Sequence, residues 1–136
     1  MLSRIIGGTE VDIKNWKFAV FLVLDGYECG GSIIAKNWVV TASHCCETVR
    51  PQKSFVYTGV NNITDAQMGR ELHASYAIKN IFPHPNFQDS HSVSHDFCLI
   101  ETDMEMDLDG EHADIVCLPE QDEKGTVLNM IKDKYF

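Results

Sequence analysis

Hydrophobic positions in this chain come in short runs broken by turn residues. Phe18 to Leu24 is apolar throughout and, extended back to Lys17, predicts a buried strand, with Asp25-Gly26 as the tight turn that follows. Gly31 to Ala35 and Trp38 to Ala42 predict two strands joined at Lys36-Asn37. Trp38, Val39, Val40 and Thr41 are aromatic or β-branched, types that suit a pleated, half-buried surface. Further runs predict strands at Ser54 to Thr58, Arg70 to Ala74, Ala77 to Phe82 and Phe97 to Glu101. No long amphipathic helix is evident. Short strands at this spacing, with turn residues between them, predict an all-β fold built as an antiparallel barrel or sandwich.

Chemistry enters where the predicted strands end. His44 follows Trp38 to Ala42 after a single small residue, Ser43, and Cys45 stands directly behind it. A histidine at a strand end is held by the scaffold where the backbone leaves the sheet, which suits a general base that must keep its position. Asp96 lies on the lip of the apolar run Phe97 to Ile100, after a polar loop running through Pro83-His84-Pro85-Asn86 and Asp89 to His95. At the other end of the chain, Ser3-Arg4-Ile5-Ile6-Gly7-Gly8 presents a basic residue beside two glycines, so that cutting after Arg4 would expose an α-amino group on Ile5.

Composition narrows the partners. The 136 residues carry 20 acidic and 11 basic side chains, a formal net charge of −9, and no Lys/Arg cluster, which argues against binding nucleic acid through its phosphates. The longest apolar run is too short to cross a bilayer as a helix, so no membrane partner is expected, and no charged-then-apolar leader stands at the start of the sequence. Five cysteines, at 29, 45, 46, 98 and 117, lack zinc-site spacing, so a disulfide plus leftover thiols is expected. Asn62-Ile63-Thr64 is an acceptor pattern for N-glycosylation. The acidic stretch from Glu101 to Asp114 raises the question of calcium. Aligning Glu105, Asp107, Asp109 and Gly110 with an EF-hand loop puts Val116 where the bidentate acid is required, so a solvated loop is expected. His91 and His95 have helical zinc spacing, but Ser92-Val93-Ser94 between them is not a helical sequence, and no metal ligand or cofactor is assigned.

Read together, Arg4-Ile5-Ile6-Gly7-Gly8, Cys29-Gly30-Gly31-Ser32, Trp38 to Cys45, His95-Asp96-Phe97-Cys98-Leu99-Ile100 and Val116-Cys117-Leu118-Pro119 resemble the trypsin/chymotrypsin family of serine endopeptidases, in the family's order. The resemblance implies a six-stranded antiparallel Greek-key β-barrel, the first of the two barrels of such a protease. It implies that His44 is the catalytic base, that Asp96 fixes the tautomer of that base, and that Ile5 is the new N-terminus released by zymogen cleavage after Arg4. Cys29 and Cys45 match the half-cystines of a family disulfide, and the family is secreted. Its partners are polypeptide substrates and inhibitors.

The departures are as informative. Ser43 stands where the family usually has alanine, the resemblance assigns no partner to Cys46 or Cys98, and Met1 to Arg4 holds no cysteine that could pair with Cys117. Val60 replaces the glutamate that opens the family's calcium loop, so that ion is not carried over. No Gly-Asp-Ser-Gly-Gly occurs in the 136 residues, so the nucleophilic serine of the family's motif is absent, along with the second barrel that would carry it. The expected organisation is a remnant of the activation peptide at 1–4, the first barrel at 5–119, and an interdomain connector or aberrant tail at 120–136. The expected function is that of a truncated trypsin-like serine endopeptidase, inactive alone. Two alternatives are a non-catalytic secreted binding module and a protease completed by a separate chain.

Overall fold

In the computed structural model, which describes residues 8–70, 73–87 and 95–117, six strands close into an antiparallel barrel. They are β1 (Ala19–Leu24), β2 (Tyr27–Ala35), β3 (Trp38–Thr41), β4 (Ser54–Thr58), β5 (Ala74–Pro83) and β6 (Cys98–Thr102). Around the barrel the order is β1-β2-β3-β6-β5-β4, and β4 returns to pair with β1. Three consecutive strands with the fourth beside the first make a Greek key, as the resemblance implies.

The hairpins follow from local chemistry. Asp25 and Gly26 take positive φ values of 50° and 90°, the primed turn that matches the twist of β1 and β2. Arg50 secures this turn, its Nε and Nη2 donating to the two Asp25 oxygens at 2.8 and 2.9 Å. That hydrogen bond and the Arg50 charge, opposed by partial burial, hold the Asp25 carboxyl below its ordinary value.

The run Phe18 to Leu24, expected to be buried throughout, instead alternates. Val20, Leu22 and Leu24 fill the barrel while Phe21 and Val23 lie half-buried on its outer side. Closure explains this, because a barrel strand has one enclosed face and one outer face. Leu22, Leu24, Ile33, Val39, Val56 and Ile100 form the fully enclosed centre. A second cluster sits on the outside of β2, β3 and β6, where Ile34 and Leu99 pack with Trp38, Val40, Phe82, Phe97 and Val116. Val116 reaches this face by donating its backbone N–H to Ile33 O at 2.9 Å.

Two further expectations need correction. The separate strands at Arg70 to Ala74 and Ala77 to Phe82 are one strand, β5, since Ser75 and Tyr76 pair with Tyr57 and Val56 of β4 despite the small polar break in the pattern. Position 70 lies before it, and 71–72 lie outside the described residues. β2 begins at Tyr27, four residues before the expected start at Gly31, since its Gly30-Gly31 pair continues the ladder opposite Phe21 and Val20. A five-residue helix, α1 (Ile63–Gln67), follows β4, capped by Asn62, whose Oδ1 accepts from Thr64 N at 2.9 Å.

Gly31 shows why the Gly-Gly pair is needed where it stands. A Cβ there would lie 2.8 Å from Val39 Cγ1 and 3.0 Å from Val40 O, whereas one on Gly30 would meet nothing within 4 Å. Gly31→Ala should therefore destabilise the barrel by about 1–3 kcal/mol and Gly30→Ala by no more than about 0.5 kcal/mol. Urea unfolding of the two variants beside the parent checks this, and equal effects would show that the close approach of β2 to β3 is not what Gly31 serves.

Candidate active site

The register of β3 against β6 creates the site. Thr41, the last residue of β3, lies opposite Cys98, the first residue of β6. In an antiparallel pair, the chain leaving β3 and the chain entering β6 therefore emerge at the same end. His44 comes three residues after Thr41 and Asp96 two before Cys98, so residues 52 apart in sequence meet there.

Each side is shaped locally. After β3 the chain turns through a 3-10 turn at Ser43–Cys45, with Cys45 N and Cys46 N donating to Ala42 O and Ser43 O at 3.0 and 2.9 Å. On the other side His95 adopts a positive φ of 60°, a left-handed conformation uncommon for a residue with a side chain, and Phe97 N donates back to His95 O at 2.9 Å. This tight bend turns the Asp96 carboxylate toward the 3-10 turn. Asp96 Oδ1 accepts the His44 backbone N–H at 2.9 Å, and Oδ2 lies 2.7 Å from His44 Nδ1.

Protonation follows from these partners. Burial raises the Asp96 carboxyl, but hydrogen bonds from the His44 ring, the His44 amide and the Ser43 amide outweigh it and hold the group below its ordinary value. The ionised carboxylate can only accept, so Nδ1 carries the proton and, in the neutral ring, Nε2 keeps the lone pair. The His44 side chain is 52% exposed and Asp96 25%. His44 thus stands at the edge of an open hollow shared with Tyr27, Glu28, Cys29, Cys45 and Glu47, while its carboxylate is more sheltered.

Covalent and polar links hold the two sides together. Cys29 is bonded to Cys45, tying the histidine turn to β2 as the resemblance implies. Cys46 is bonded to Cys98, a pairing the sequence left unassigned. These two cysteines lie two residues beyond His44 and two beyond Asp96, so the second disulfide joins the two sides of the site directly. Ser43 joins them again. Fully buried, its Oγ donates to Phe97 O at 2.6 Å and accepts from His84 N at 3.1 Å, so the hydroxyl bridges to the aspartate side and takes no bond from the His44–Asp96 pair.

The remaining candidates are scattered. Cys117 is a free, exposed thiol. Asn62 lies beyond β4 as the cap of α1. Arg4, Ile5 and His91 lie outside the described residues, and the His95 ring packs tilted against His84, with ring centroids 4.8 Å apart. No helix among the described residues is long and apolar enough to cross a membrane.

A six-stranded antiparallel barrel carrying a clamped His–Asp pair at the ends of β3 and β6 defines a chymotrypsin-like protease barrel. The chain belongs to the trypsin family, whose model matches residues 5–131. It is similar to Ovochymase-2 of Mus musculus, with 30% identity over 125 residues, covering 90% of this chain and 20% of that protein. Among solved structures it is similar to the crystal structure of the scabies mite inactivated protease paralogue S-D1, at 27% identity and a TM-score of 0.72, covering 88% of this chain and 49% of that one. The chain thus spans about half or less of the relatives it matches. Two disulfides and membership of this family are typical of extracellular proteins.

Two consequences are measurable. Opening the 52-residue separation closed by Cys46–Cys98 with a Cys46→Ser/Cys98→Ser double variant should lower stability by up to about 4 kcal/mol in the chain-entropy estimate, read by denaturant unfolding. Because the folded-state values of Asp25 and Asp96 are depressed, their contribution is fully present above the ordinary carboxylate value of 3.8 and is lost as pH falls through the folded values. Asp96→Asn should therefore flatten the acid limb of a stability-against-pH curve, and an unchanged limb would contradict the clamp described above.

Proposed function

We propose that this chain is the first barrel of a secreted trypsin-like serine endopeptidase and contributes the general base and its orienting carboxylate, but not the nucleophile. The observation that carries the reading is the two-point clamp of Asp96 on His44, ring and backbone together, at the positions where the family's motifs place its base and orienter. In the mechanism described for this same family, the serine hydroxyl attacks the scissile carbonyl, His44 Nε2 would take its proton and pass it to the leaving amine, and Asp96 would stabilise the imidazolium formed between those steps. Asp96 ionised at neutral pH and Nδ1 as the proton carrier are the states this requires.

The serine, the oxyanion-hole amides, the specificity pocket and the receptor for the Ile5 ammonium would lie in a second barrel. On this reading residues 1–4 are the end of an activation peptide, 5–119 the barrel, and 120–136 the way out of it. Asn62 is the proposed N-glycosylation position, with Oδ1 engaged as a helix cap and Nδ2 the atom that would carry the sugar. The 136-residue chain alone has no acylation route and should be inactive.

A second reading, a non-catalytic binding module, draws on one specific feature. The mite relative is by its title an inactivated protease. Retention of both His44 and Asp96 favours the protease reading, because a binding surface has no use for a tautomer-fixed histidine.

A fluorophosphonate probe should leave the purified chain unlabelled, and covalent labelling of the chain alone would sink the claim that it lacks a nucleophile. In a longer form that includes a second barrel, His44→Ala and Asp96→Asn should each lower kcat/KM for peptide hydrolysis by about 10⁴-fold or more. Full activity in either variant would leave the binding module as the better reading.

A further inference from the structure

A second group of chemically capable side chains lies at the opposite end of β5 from His44. His73 immediately precedes this strand, and its backbone N–H donates to Thr58 O, at the end of β4, at 2.9 Å. Pro83, at the other end of β5, pairs with Cys98 beside Asp96. A ten-residue strand is about 30 Å long, so the two places are well separated. Asp109 and His112 come from the segment after β6, which is fastened along the barrel where Asp107 N donates to Tyr76 Oη at 2.7 Å and by the fully buried Ala113.

The ligand atoms of His73, Asp109 and His112 all lie within 4.8 Å of one another. His73 Nε2 is shielded from solvent and, among the described residues, is the buried side-chain nitrogen or oxygen without a hydrogen-bond partner. Asp107 Oδ2 at 3.5 Å and Asp109 Oδ2 at 3.8 Å are too distant to satisfy it. A polar atom left in this state costs about 1–3 kcal/mol, and in a native protein it points to a water or an ion between it and its neighbours.

The donor set decides which. Two imidazoles and one carboxylate suit zinc and similar divalent transition metals, whereas calcium and magnesium take oxygen ligands. Asp109 is also oriented as a ligand would be. Its Oδ1 accepts the backbone N–H groups of Glu111, His112 and Ala113 at 3.0, 2.7 and 3.1 Å, which fixes the carboxylate and leaves Oδ2 directed toward the two imidazoles.

We propose that His73, Asp109 and His112 form a binding site for a zinc-class divalent metal ion that clips the segment after β6 to the β4–β5 end of the barrel. The His73 and His112 rings are stacked, 4.8 Å apart and only 5° from parallel, and lone pairs in two parallel planes cannot converge on one ion. Binding therefore turns the His112 ring out of the stack and exchanges its 2.7 Å hydrogen bond to Asp109 for a metal bond. His112, with 37% of its side chain exposed, can make that turn, while His73 at 17% stays in place. A water or Asp107 Oδ2 completes four-coordination. Segment 101–114 is then more than the solvated loop its acidity suggests, and the site is structural, remote from His44.

Zinc chloride titrated into the 136-residue chain, followed by calorimetry and by thermal melting, tests this. One equivalent should bind and raise Tm by several degrees, calcium and magnesium should not reproduce the shift, and His112→Ala should weaken zinc at least about tenfold. His112→Ala also removes the 2.7 Å hydrogen bond to Asp109, so its zinc-induced shift is read against its own metal-free Tm, whereas His73→Ala disturbs a position with only 17% of its side chain exposed and is the weaker test. His44→Ala controls for zinc held by the other histidine–carboxylate pair and should bind as the parent does. Undiminished affinity in His112→Ala, loss confined to His44→Ala, or no binding by the parent would each overturn the proposal.

Discussion

The antiparallel pairing that sets Thr41 opposite Cys98 is the constraint on which this molecule's chemistry depends. β3 is only four residues long, and its partners on either side, β2 and β6, leave little freedom for it to slide. A slip of one residue would exchange Val39, which is fully enclosed, with Val40, which lies on the outer face, and would put a polar threonine in the place of a valine. The hydrophobic pattern of β3 therefore fixes where His44 emerges. The barrel core and the candidate site are consequences of one register.

What holds that end once the register is chosen is a set of links of different physical kinds. The Cys46–Cys98 bond limits the unfolded chain, the buried Ser43 hydroxyl bridges to the Phe97 carbonyl, and the Asp96 carboxylate receives the His44 amide and ring. The His44–Asp96 pair is the weakest constraint of the three on position, since half of the histidine is open to solvent, but it alone sets the proton on Nδ1. Position comes from the covalent and buried links, and protonation comes from the carboxylate.

Much of this was legible in the amino-acid sequence because the informative residues are local. Asp25-Gly26 marks its hairpin without any tertiary information, and the strand-then-histidine pattern at Trp38 to His44 can be read by eye. The single long β5 was not legible, because Ser75-Tyr76 interrupt the apolar pattern and only the β4 partner shows that the ladder continues. Nor was the alternation of β1, where both faces are apolar and only barrel closure separates Leu22 from Phe21. The pairing of Cys46 with Cys98 needed the β3–β6 register, and the meeting of His73 with His112 needed the segment after β6 to fold back along the barrel.

Among the described residues, the His44–Asp96 and His112–Asp109 pairs are nearly alike at close range. In both, Nδ1 lies 2.7 Å from one carboxylate oxygen while the backbone N–H of the same histidine bonds the other, His44 with Asp96 and His112 with Asp109. Pair geometry by itself therefore assigns no function. The difference lies in how each pair is made: Asp109 and His112 are three residues apart in one turn, a contact that local backbone preferences generate readily. His44 and Asp96 come together only through the pairing of β3 with β6, from opposite sides of a disulfide, with His44 at the edge of an open hollow. An arrangement that requires the whole fold, and leaves its basic atom accessible, is the one suited to moving a proton to and from a substrate. The local one, beside an unsatisfied buried nitrogen, is suited to holding something still.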